Sequence, residues 1–125
     1  MPGADTDGEP DFYRLKVESP LTETTDASFT IPDGQRFDMT DVRIENPFND
    51  GGVATLLVNG EEVFVWSLQN VRGSQFEPAI TQKRLQPGDN VTFSVRCDAV
   101  GDPFSATCSN AVNVGGLVLD VETGA

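Results

Sequence analysis

The chain has 125 residues, 38% of them apolar with eight Phe, and a formal charge of −12 from 20 acidic and 8 basic side chains. That length and apolar content suit one domain with a single packed core and argue against wholesale disorder. The charge argues against a nucleic-acid partner and an anionic membrane surface, because phosphate backbones and lipid headgroups carry the same sign.

Only Lys16 and Lys83 are lysines. In molar salt the Debye length falls to about 3 Å, which removes most of the self-repulsion of such a surface. Dense carboxylates then keep a hydrated skin, and the acidic, lysine-poor balance points to a halophile.

In chain order, residues 1–11 are rich in Gly, Pro, Asp and Glu and are expected as a flexible N-terminal arm. They show neither the basic n-region nor the apolar h-region of a secretory signal. Residues 12–122 are expected as a single β domain and 123–125 as a tail. Tyr13, Leu15 and Val17 alternate with charged residues, the pattern of a half-buried strand. Phe29 and Ile31 mark a second strand, ending at the turn Pro32-Asp33-Gly34. In FDMTDVRIEN the apolar set changes parity from Phe37 and Met39 to Val42 and Ile44, which predicts a bulge near Thr40-Asp41.

Asn49-Asp50-Gly51-Gly52 reads as a turn, and Asn59-Gly60 as a type I′ hairpin. The returning strand VFVWSL should point Phe64, Trp66 and Leu68 inward. A looser segment containing Phe76 and Ile80 follows, then a turn at Gln86-Pro87-Gly88-Asp89. Val91, Phe93, Val95 and Cys97 alternate cleanly, and AVNV and LVLDV are expected as the last strands, with the parity shifting at Gly115-Gly116. The sum is an all-β fold, an antiparallel β-sandwich of jelly-roll or Greek-key type with about eight strands.

Catalysis is not expected. The chain has no histidine, which removes the commonest general base and excludes Ser–His–Asp and Cys–His arrangements. Two cysteines alone cannot complete a structural zinc site, and no phosphate-cradling glycine loop is present. Paired carboxylates could serve a glycosidase, but chance proximity is expected among 20 acids. The reading therefore assigns no catalytic, cofactor or metal residues.

Cys97 and Cys108 bracket a short loop and are expected as a disulfide, the other reading being two separate buried thiols. The acids of IPDGQRFDMTDVRIENPFNDGG (residues 31–52) are read as turn formers and water holders on the outside of a sheet; their spacing does not match an EF-hand loop, and calcium held between two loops is the other reading. Asn90-Val91-Thr92 is a glycosylation sequon expected to be unused. The functional lead is aromatic: Phe48, Phe76 and Phe104 fall in segments read as loops and, if exposed, would form a partner interface.

The acidic Greek-key pattern over residues 12–122, with its Pro87-Gly88-Asp89 turn and short loops, resembles the small β-sandwich decoration or turret proteins on capsids of tailed viruses. The low lysine content directs that resemblance toward viruses of haloarchaea. It implies a non-enzymatic virion protein on the outer capsid surface that binds capsid protein and self-associates, often as a trimer. A disulfide in a chain read as lacking an export signal agrees with release by lysis. Two other readings stand beside it: a carbohydrate- or receptor-binding module of a tail or cell-surface protein, and an accessory domain of a halophile unconnected to a virus.

Overall fold

Alternating apolar and polar residues fit a pleated chain whose successive side chains point to opposite faces. In the computed structural model, which describes residues 8–121 and only the backbone of 78–82, that alternation becomes eight strands. They are β1 (Glu9–Pro20), β2 (Thr24–Thr30), β3 (Gln35–Asn46), β4 (Gly51–Val58), β5 (Glu61–Ser67), β6 (Gly73–Leu85), β7 (Asn90–Ala99) and β8 (Thr107–Asp120). A single 3-10 turn, Leu68–Asn70, joins β5 to β6.

Two four-stranded antiparallel sheets form, one in the order β1-β8-β3-β6 and the other β2-β7-β4-β5. This interleaving is the double Greek key of a jelly roll. The inward set is the predicted one: Leu15, Val17, Phe37, Met39, Val42, Ile44, Trp66, Leu68, Val91, Phe93, Val95 and Cys97 are all buried. Tyr13 of the first sheet stacks on Phe29 of the second with ring centroids 4.0 Å apart, and Phe37 meets Tyr13 edge-on at 5.1 Å.

The predicted bulge is present: the register of β3 shifts between Met39 and Asp41 against both neighbours. Asn59 and Gly60 adopt φ of 51° and 83°, as a type I′ turn requires. Cys97 of β7 and Cys108 of β8 are bonded, which links the two sheets through the interior. Closing a loop of this length stabilises the fold by about 3 kcal/mol on the chain-entropy estimate.

Four expectations need correction. The strand content begins at Glu9, so residues 9–11 pair with Val118, Leu117 and Gly116, while residues 1–7 and the tail lie outside the described residues. The segment around Phe76 is no loop but the edge strand β6, in which Phe76 pairs with Arg43; the side chain of Ile80 is not among those described. AVNV and LVLDV are one strand, β8, whose inward positions stay even-numbered from Cys108 to Val118. The parity change lies in β3 alone, at Thr40, and the two glycines only make room for it. Finally, two acids of the 31–52 stretch are not held in water: Asp38, on the outer face, is covered beside Arg36 and Arg84 to 5% exposure, and Asp50 is fully buried.

Candidate interaction site: an aromatic, charge-balanced sheet face

The outer face of the first sheet is assembled by register. Arg14, Asn113, Arg43 and Phe76 form one row across β1, β8, β3 and β6. Lys16, Ala111, Glu45 and Ser74 form the row on one side of it, and Phe12, Gly115, Asp41 and Pro78 the row on the other. Beyond that lie Leu117, Asp38 and Arg84, with Arg36 on the same face. Phe12 and Phe76 stand about half-exposed on this face, and Phe48, in the β3–β4 loop, closes one end of it.

Charge on this face is balanced by pairing. The Arg14 guanidinium donates to both oxygens of Glu45, at 2.5 and 3.3 Å, and the Asn113 amide donates to Glu45 Oε2 at 2.5 Å. Hydrogen bonding to Arg14 is the main cause that holds the Glu45 carboxyl below the usual range, against a smaller opposing effect of burial, and it raises Arg14 in turn. Asp38 receives Arg36 Nε at 3.0 Å and lies 3.5 Å from Arg84 Nε. Lys16 is only loosely held, 3.9 Å from Glu18. Arg43 lies over the Phe76 ring, 5.4 Å from its centroid, a cation–π contact. Five of the chain's eight cations (Arg14, Lys16, Arg36, Arg43 and Arg84) thus share one face with four carboxylates (Glu18, Asp38, Asp41 and Glu45). The molecule as a whole carries −12.

Phe104 is placed elsewhere. It projects from the β7–β8 loop with 97% of its surface exposed, and Leu21 stands beside that loop, its N–H donating to the Ala106 carbonyl. Asp102 Oδ1 accepts the Phe104 N–H at 2.9 Å, which fixes the tip in an Asx turn. Below the tip, buried Asp50 accepts the Gly101 N–H on one oxygen and the Ser109 N–H on the other, both at 2.8 Å. Asn46 completes the brace: its amide donates to the carbonyls of Asp50, Leu68 and Val71 and accepts the Asp50 N–H. The loop that carries Phe104 is therefore tied to the core from both ends, by this network and by the Cys97–Cys108 bond.

Of the three aromatic residues singled out from sequence, the structure brings Phe48 and Phe76 to the borders of one face and sets Phe104 apart at the end of the sandwich. Sequence reasoning missed Phe12, assigned to the domain's first position, and Val65, 57% exposed on the second sheet. The signal for Phe12 was available: it shares the outward parity of Arg14 and Lys16.

Among the described residues no three His, Cys, Asp or Glu side chains gather in a way that could hold a metal ion. Asn90 of the sequon donates its amide to the Phe29 carbonyl and Thr30 Oγ1 and accepts from Thr92 Oγ1. Trp66 is 5% exposed, with its indole N–H on Glu77 Oε2.

No family model matches this sequence, and no curated protein matches it. Several solved structures are similar to it at low identity. The NLP core of Drosophila, described for pentamer formation and histone binding, is 12% identical with a TM-score of 0.43, over 88% of this chain and 99% of that one. A structure of infectious bursal disease virus, Gx strain, is 13% identical with a TM-score of 0.36, over 94% of this chain and 38% of that one. The exo-β-1,3-galactanase of Phanerochaete chrysosporium, solved with galactose, is 11% identical with a TM-score of 0.35, over 88% of this chain and 28% of that one. This chain spans well under half the length of the last two, and likeness at this level carries nothing about activity or partners.

Proposed function

We propose that this chain is a non-enzymatic structural protein on the outside of a virus particle, a decoration or turret protein that binds capsid subunits through the outer face of its first sheet. The observation that carries the reading is the contrast of that face with the rest of the molecule. It gathers most of the cations and three partly exposed Phe side chains within a body of charge −12. A shell protein working in the same salt-rich medium would itself be acidic. A near-neutral aromatic face can meet such a surface without setting carboxylate against carboxylate. The long acidic remainder then faces solvent. The braced, disulfide-linked sandwich suits a protein that works by being held in place.

The test is binding to purified particles stripped of this protein. Phe76→Ser and Phe12→Ser, alone and together, are expected to lower co-sedimentation at least tenfold while the variants melt near wild type. Undiminished binding overturns the assignment of this face, and absence of the protein from purified particles overturns the function. A second reading, a carbohydrate-binding module, draws on the recess beside Phe48, where an aromatic ring lies among Arg14, Lys16, Glu45 and Ser109. Saturable glycan binding lost in Phe48→Ser would replace the first reading with that one.

A further inference from the structure

The recess beside Phe48 and the tip at Phe104 have complementary size and charge. The recess holds about 140 Å³ and is lined by Pro47, Phe48 and Ala111 together with Arg14, Lys16 and the Arg14-paired Glu45. A benzene ring fits a space of about 150 Å³. Phe104 is a phenyl ring almost fully in solvent, two residues from the carboxylate of Asp102. It does not fill its own molecule's recess, and the Asp50 clamp and the Cys97–Cys108 bond tie the ends of its loop. The rim matches the tip: Lys16, 58% exposed and only 3.9 Å from Glu18, has donors to spare for a second carboxylate.

We infer that copies of this chain associate by seating the Phe104 ring of one in the Phe48 recess of another, with Asp102 of the first meeting Lys16 of the second. Knob and socket lie on neighbouring loops, since Gly101 packs against the Phe48 carbonyl. A copy that receives a ring can therefore return its own to the same neighbour or pass it to the next, which closes a dimer or a small ring. A rigid aromatic inserted into a preformed pocket loses little conformational freedom on binding and makes an efficient anchor. The inference concerns the purified chain and does not rest on the virus reading.

Sedimentation of the purified full chain over a concentration series, in dilute buffer and in molar salt, tests it. Wild type is expected to associate as concentration rises, more readily where salt screens the net charge. Phe104→Ser should weaken association about thirtyfold or more. Lys16→Glu should weaken it and Lys16→Arg should preserve it, because only a cation can meet Asp102. Dichroism melts of every variant establish that it is folded. A wild type that stays monomeric throughout, a Phe104→Ser variant that associates normally, or a Lys16→Glu variant that associates normally each overturns the inference. Such a failure leaves particle binding through Phe12 and Phe76 to be decided by its own variants.

Discussion

A buried carboxylate is costly unless its oxygens are matched by donors, and Asp50 is matched by two backbone N–H groups. The side chain thereby holds the β3–β4 loop against both ends of the β7–β8 loop. Asn in its place offers one acceptor oxygen and turns an NH2 toward the other N–H. Asp50→Asn is expected to cost about 2 kcal/mol, seen as a lower urea midpoint at unchanged slope. An unchanged midpoint would mean that the clamp is not what secures this end. Neighbouring Asn110 shows the cost of incomplete matching: its amide donates to Asn46 Oδ1 at 2.9 Å, while its own Oδ1 lacks a partner among the described residues.

Strands succeed or fail by register, and β3 shows how. One extra residue, Thr40, moves the inward set from odd to even positions, so that Phe37, Met39, Val42 and Ile44 all reach the core. The bulge presses on β8, where Gly116 lies against the Asp38 carbonyl and the Phe37 ring with no room for a Cβ. Gly116→Ala is therefore expected to destabilise by about 1–3 kcal/mol, measured by chemical unfolding. A neutral result would mean that the bulge relaxes at no cost. The edges are managed by similarly local means. In β6, Pro78 removes a donor and Glu77 lies on the inward side, and β5 carries a register shift after Glu61 and Glu62.

At the scale of the whole molecule, charge dominates. With 20 acids against 8 cations, and five of those cations drawn onto one face, the remaining surface repels itself strongly in dilute buffer. The proposed high-salt setting requires the melting temperature to rise from dilute buffer to molar salt, by roughly 5 °C or more. A higher melting temperature in dilute buffer would sink the halophile reading. Ion pairs such as Arg14–Glu45 run the other way, since salt weakens exposed pairs, but each is worth only about 1 kcal/mol or less.

Local pattern alone determined the layered β class, the hairpin at Asn59-Gly60 and the bulge at Thr40, and favoured the pairing of Cys97 with Cys108 that the structure then shows, because period, turn chemistry and short spacing are written into neighbouring residues. What neighbours do not record is which strand lies beside which. Only the order β1-β8-β3-β6 could set Arg14 against Glu45, 31 positions away, and collect the scattered cations beside Phe76. Asp50 illustrates the same limit. In sequence it is one acid in a Gly-rich turn, indistinguishable from exposed Asp33. Its burial depends on two N–H groups more than fifty residues distant, which long-range packing alone brings within reach.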